Sequence, residues 1–130
     1  MREIKFRGKC INNGEYGYQK DGDWVYGLPN FEVVESGGDY VGVYYINDWE
    51  RGYTFEVDVN TIGQYTGLKD KKGKKIHEGD IVRNKVCDVF GDVYFKAGCF
   101  CINGFLLNCY NAEIEVIGNI YDNKELLEEK

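Results

Sequence analysis

At 130 residues and 15.0 kDa, the chain suffices for one domain or two very small β units, burying roughly 65–70 % of the open chain's surface. Charged residues make up 29 % and aromatics 15 %, with 17 glycines and one proline; this excludes a disordered or low-complexity chain and favours short strands over long helices. A net charge of −6 weighs against a nucleic-acid or membrane binder, which needs clustered cations.

In chain order, "REIKFRGK" alternates, with Ile4 and Phe6 on one face and Glu3, Lys5 and Arg7 on the other, the period of a half-buried strand. The Asn-Gly of "INNGEYG" predicts a hairpin turn. "DGDWVYGLPNFEVVE" reads as a strand pair interrupted at Gly27 and Pro29, "SGGD" (36–39) as a flexible turn, and "YVGVYYIND" (40–48) as a strand. "YTFEVDV" (53–59) places Tyr53, Phe55, Val57 and Val59 on one face and Thr54, Glu56 and Asp58 on the other.

"TIGQYTGLKDKKGKKIHEGDIV" (61–82) comes next, its "EGDIV" starting a strand as small SH3-like barrels do, with Asp80 placed to accept turn amides. A strand over 80–86 and a hairpin over 92–104 turning at Lys96–Gly98 follow. The strand over 112–121 alternates until Gly118, which permits a bulge. Only the tail predicts a helix, at about 123–129, with Asp122 and Glu125 at capping-box spacing. The expected fold is mainly β, in small sheets or barrels. Residues 1–60 form an N-terminal β subdomain, and residues 61–130 an SH3-like barrel carrying a short C-terminal helix.

Lys69, Lys71, Lys72, Lys74 and Lys75, with Tyr65 beside them, are the candidate binding patch, an anion or nucleic-acid contact. The same lysines read first as a solvated hairpin tip that keeps a sheet edge from aggregating. His77 could serve as a general base, since a free imidazole titrates near neutrality, but it has no motif-linked partner, and beside Glu78 it reads as a surface or turn residue. Tyr44, Tyr45, Trp49, Tyr53 and Phe55, with Arg51 among them, could stack bases, although aromatics also fill small β cores.

Cys99 and Cys101 share a strand face, yet a zinc site would need Cys87 and Cys109 to converge with them, so core packing is the expectation. Cys10 completes an odd set of five, which with no apolar leader in "MREIKFRGK" points to the cytoplasm and reduced thiols. No run approaches the roughly 20 apolar residues of a membrane span. Nucleophile-elbow, zincin, P-loop and dinucleotide motifs are missing. No catalytic residue, cofactor or metal is therefore expected.

Four stretches together carry a resemblance: "REIKFRG", "VYGLP" at 25–29, "TIGQYTGLKDKKGKKIHEGDIV", and "EVIGNIYDNKELL" at 115–127. Their order and spacing, Gly-Gln-Tyr-Thr-Gly, Lys-Asp-x-x-Gly, Glu-Gly-Asp-Ile-Val and Val-Ile-Gly-Asn-Ile-Tyr, resemble the YopX family of small proteins encoded by phages and prophages of Gram-positive bacteria. The resemblance implies a mainly β fold with an SH3-like contribution and a cytoplasmic, phage-related role without a reaction. The expected function is thus that of a non-enzymatic accessory protein that binds a macromolecule, a protein or its own copies. The alternative is a nucleic-acid-associated protein of phage replication or regulation.

Overall fold

The computed structural model describes residues 3–11, 22–107 and 113–128. The Asn-Gly turn expected near 11–17 and Cys109 fall outside the described residues. The strands are β1 (Phe6–Lys9), β2 (Trp24–Ser36), β3 (Asp39–Asp48), β4 (Tyr53–Val57), β5 (Gly63–Lys69), β6 (Lys75–His77), β7 (Asp80–Asn84), β8 (Val89–Lys96), β9 (Cys99–Ile102), β10 (Phe105–Leu106) and β11 (Glu115–Asn119). A 3-10 turn at Val59–Thr61 and one helix, α1 (Glu125–Glu128), complete the described elements. The protein is mainly β: two antiparallel sheets, ordered β4-β3-β2-β1-β5-β6 and β10-β9-β8-β7-β11. The chain divides into two compact units, Ile4–Gln64 and Met1–Glu3 with Tyr65–Lys130.

The unit Ile4–Gln64 is a meander in which alternate residues meet in one core of Cys10, Val25, Ile46, Phe55 and Val57. An isolated bridge joins Cys10 to Val57, and the Asp58 amide donates to Lys9 O at 2.9 Å, so the end of β1 also meets β4 around that core. Val59 does not extend the inward face of β4. Asp58 Oδ1 accepts the Asn60 amide at 3.0 Å and caps a 3-10 turn, ending the strand two residues early and leaving Val59 exposed. Thr61 Oγ1 then accepts the Lys9 amide at 2.8 Å.

The stretch expected as a strand pair at 24–36 is one 13-residue strand. Gly27 is the reason it can run through. There β2 exchanges its pairing with β1 (Phe6↔Gly27) for pairing with β3 (Leu28↔Asn47), and a Cβ at Gly27 would lie 1.9 Å from the Asn47 carbonyl oxygen. Pro29 falls beyond the last residue paired with β1, where no ladder donor is needed.

The other unit packs Ile76, Val82, Val89, Val93, Ile102, Leu107 and Ile114 into its own core. The 92–104 hairpin turns at Ala97–Gly98, both at positive φ, as expected. The register of β11 against β7 shifts between Val116 and Gly118, the bulge that Gly118 permits. The five strands of this sheet follow an open order, and the barrel closure expected for residues 61–130 is not formed by the described strands. The helix starts at Glu125, two residues later than expected, after Asn119 Oδ1 takes the Tyr121 and Asp122 amides in a turn. Asp122 Oδ2 in turn accepts from Asn119 Nδ2.

Candidate functional site

The lysine turn is built around one carboxylate. Asp70 is buried, and its Oδ1 accepts the amides of Lys72 at 2.9 Å and Lys74 at 2.8 Å. Its Oδ2 accepts the Val116 amide of β11 at 3.0 Å, and the Lys71 amide donates to Ile114 O at 2.9 Å. Burial pushes the Asp70 carboxyl up, but the three amides, with the Lys74 charge, outweigh it and hold the group below its ordinary range. Gly73, at φ +87, makes the tip. The turn is therefore tied to the strand behind it rather than floating in solvent.

Its cations are largely answered within the same unit. Lys72 Nζ lies 2.8 Å from Glu115 Oε1 and Lys71 Nζ 3.8 Å from Oε2; Lys75 Nζ lies 3.0 Å from Glu3 Oε2. The Lys72 hydrogen bond, then its charge, holds the Glu115 carboxyl below its usual range. Glu115 correspondingly raises the Lys72 ammonium. Lys69 and Lys74 are exposed and form no ion pair among the described residues.

Tyr65 is buried, its ring 5.6 Å from that of His77 and 5.2 Å beneath Lys75 Nζ. His77 is not a surface residue: it is buried in β6, where its amide donates to Asp80 Oδ2 at 2.8 Å, the role expected of Asp80. Gly79 sits under the Tyr121 ring and accepts the Ile120 amide through its carbonyl at 2.8 Å. Thus stretches 61–82 and 116–121 interlock as architecture.

The other candidate groups disperse. Phe55 is core, Tyr45 points to the opposite face of the sheet from Tyr44, and Trp49 stands exposed in a turn. Arg51 Nε is held by Asp48 Oδ2 at 3.0 Å. The five residues make no single stacking platform. Core packing holds for Cys10 but not for Cys99, which is exposed, or Cys101, which is half-buried, because β9 turns those positions toward Tyr94 and Lys96, away from the Val93–Ile102 side. No group of three or more metal-ligating side chains gathers among the described residues. An open cleft of about 380 Å³ is lined by Arg83, Lys85, Asp88, Phe90, Ile117 and Leu126. Its charges are of both signs.

The surface that sequence reasoning missed is the end of the β2–β3 hairpin. Pairing with β1 stops at Gly27 and pairing with β4 stops at Tyr44, so residues 32–43 project as a two-stranded ribbon, rooted at Leu28–Phe31 where β3 is still paired with β4. One face carries Phe31, Val33 and Tyr40, exposed by 52 %, 57 % and 78 %; the other carries Val34, Val41 and Val43. Phe31 lies 4.8 Å from Tyr44, and its ring covers Gly42, where a Cβ would meet Cε2 at 2.7 Å. The first of these faces continues the row of Ile46, Phe55 and Val57 out of the core. A two-stranded ribbon is marginal in water without cover, and contiguous exposed apolar area marks an interaction surface. The signal in sequence was apolar residues on both strand faces, but exposure depends on where neighbouring strands stop.

Comparison with curated proteins finds no match. Among solved structures the chain is similar to protein EF1440 from Enterococcus faecalis, with 23 % identity over 98 % of this chain and 99 % of that one and a TM-score of 0.48. No helix among the described residues is long and apolar enough to cross a membrane. The model of the YopX protein family matches residues 23–128, a span that takes in the projecting ribbon, the lysine turn and the bulged strand β11. The chain belongs to the YopX family.

Proposed function

We propose that this protein is a non-enzymatic phage accessory protein of the cytoplasm that acts by binding another protein, and that the β2–β3 ribbon is its contact surface. The observation that carries this reading is the apolar face of Phe31, Val33 and Tyr40, exposed on a ribbon that nothing among the described strands covers. Aromatic anchors on such a surface supply most of the energy of a protein contact. In a pull-down from phage-infected cells, Phe31→Ser/Tyr40→Ser should lose about 100-fold or more of partner affinity, since each anchor is worth about 1–2 kcal/mol. The core stays intact because both side chains project from it. Recovery of the same partners by the double variant, or of the protein alone by the wild type, would sink the proposal.

The second reading, a nucleic-acid-associated role in phage replication or regulation, is favoured by one feature: Asp70 holds the lysine turn rigid with Lys69 and Lys74 exposed. Ion pairing of Lys71, Lys72 and Lys75 counts against it, since each pair must open before its cation meets a phosphate. If Lys69 and Lys74 did hold phosphates, log K would fall against log salt with a slope of about −2. On the preferred reading, neither duplex nor single-stranded DNA shifts even at about 50 mM salt, where phosphate contacts are strongest. A shift there that Lys69→Gln/Lys74→Gln abolishes would move the function to nucleic acid.

A further inference from the structure

The ribbon has two long edges, and they are not equivalent. Its turn is Gly37-Gly38 with both φ positive, the two-residue connection whose flanking pair, here Ser36↔Asp39, is hydrogen-bonded. From that pair the pattern alternates: the amides of Val34, Val41, Glu32 and Val43 point into the ribbon. Those of Phe31, Val33, Glu35, Tyr40 and Gly42 point outward. On the β2 edge, Pro29 has no amide hydrogen, and Asn30 Oδ1 takes the Phe31 amide at 2.9 Å. They close the first two outward positions that a strand in line with β1 would meet, leaving only Val33 and Glu35 farther out. On the β3 edge there is no such device. β4 stops at Val57, opposite Tyr44, because Asp58 caps the 3-10 turn that carries the chain away. In line with β4, the outward groups of Tyr40 and Gly42 are left unpaired by any described strand.

The same segment is acidic. Between Leu28 and Val43 it carries Glu32, Glu35 and Asp39 and no lysine or arginine. Tyr45, at its root, reports that field: partial desolvation, then the Glu32 and Glu56 carboxylates, raises its hydroxyl above the usual phenol range. A second copy pairing edge to edge would set two acidic ribbons side by side, which like charges on adjacent strands oppose. We propose that the open β3 edge at Asp39–Val43 accepts an added β-strand from a partner protein, and that this strand is a basic, alternately apolar segment. The inference rests on the ribbon being the contact surface and names the class of occupant. Main-chain hydrogen bonds to Tyr40 and Gly42 give the strand its register. Phe31, Val33 and Tyr40 receive its apolar side chains on one face, Glu32 and Asp39 select its cations on the other, and Glu35 adds to the acidic field of the ribbon.

The test uses the whole protein and three synthetic peptides of about eight residues, the length of an ordinary strand: alternating Lys-Val, alternating Glu-Val, and Lys-Val with a central proline. The Lys-Val peptide should shift the Tyr40 and Gly42 amide resonances and slow their hydrogen exchange; the other two should not. Glu32→Gln/Glu35→Gln/Asp39→Asn should weaken Lys-Val binding about tenfold, the worth of a few exposed ion pairs. Tyr40→Pro should abolish it, while Tyr40→Ser, which loses the same ring but keeps the outward donor, should only weaken it; the core resonances stay in place in both. Equal binding of the Glu-Val peptide, or Lys-Val binding that leaves both amides unmoved, overturns the inference. So does a dimer in sedimentation that Tyr40→Pro dissociates. If cellular partners need the Phe31 and Tyr40 side chains yet bind Tyr40→Pro no worse than Tyr40→Ser and ignore the charge variant, strand addition fails while the ribbon remains the binding surface.

Discussion

Asp70→Ala is expected to destabilise the unit that contains the lysine turn by about 3 kcal/mol, the cost of stranding amides that a buried carboxylate had satisfied. The side chain accepts three amides for two tasks: it closes the turn through Lys72 and Lys74, and it fastens the turn to β11 through Val116. Water can replace the carboxylate at Lys72 and Lys74, whose residues are exposed. Val116 is half-buried, so its bond to Asp70 is the hardest of the three for water to replace and dominates the loss. Asp70→Asn should fall between wild type and Ala, because one oxygen remains to accept while the new amide group faces a donor. Amide hydrogen exchange at Lys72, Lys74 and Val116 and a denaturant midpoint by circular dichroism measure the effect. Unchanged protection at Val116 in the Ala variant would refute the account.

The same bonds set a pH dependence. Folding lowers the Asp70 carboxyl from its ordinary value of 3.8, so the folded state favours the ionised form. The stability this contributes is fully present above that ordinary value and is lost as pH falls through the folded pKa. Wild type should therefore lose stability more steeply than Asp70→Asn below about pH 4, and the two curves should converge in strong acid. Parallel curves would show that the carboxylate's charge is immaterial to the turn.

Gly27→Ala is expected to cost the Ile4–Gln64 unit on the order of 4 kcal/mol, among the largest single-substitution losses, because a backbone must move. A methyl there would sit 1.9 Å from the Asn47 oxygen and 2.6 Å from its carbonyl carbon, and neither atom belongs to a side chain that can swing away. The strand must separate from β3 at Leu28↔Asn47, just where it passes from one partner to the next. Gly38→Ala is the control: φ is +91 with nothing within 4 Å, so only the left-handed backbone penalises it, by about 1–2 kcal/mol. Both tryptophans, Trp24 and Trp49, lie in this unit, and Trp24 is stacked 4.4 Å from the Arg7 guanidinium. Tryptophan fluorescence therefore follows its unfolding separately from the tyrosine-only remainder. Equal midpoints for the two variants would refute the clash.

Local chemistry was legible in the sequence where the forces themselves are local. A β-rich run placed the strand at 40–48 and alternation the one at 53–59, which the Asp58 cap ends at Val57. Asp80 beside Gly79 announced its turn, Gly118 its bulge, and four ordered motifs the family. Each rests on neighbours within a few positions, whose spacing a one-dimensional chain preserves. His77 was misread because its burial comes from Tyr65 and from the turn around Asp80, not from the charged residues beside it. The lysines read as a free cationic tip because Glu115 and Glu3 lie 43 and 72 residues away.

The ribbon needed the tertiary structure most of all. Residues 32–43 look like ordinary strands, apolar and β-branched, and in a wider sheet they would be core. What exposes them is that β1 ends opposite Gly27 and β4 ends opposite Tyr44, one limit set by a carbonyl approaching a glycine and the other by an aspartate capping a turn. Sequence determined that these segments are strands and that the chain is a small β protein. Tertiary structure alone decided which strand edge is left open, because burial belongs to the neighbours a residue acquires on folding and not to the residue itself.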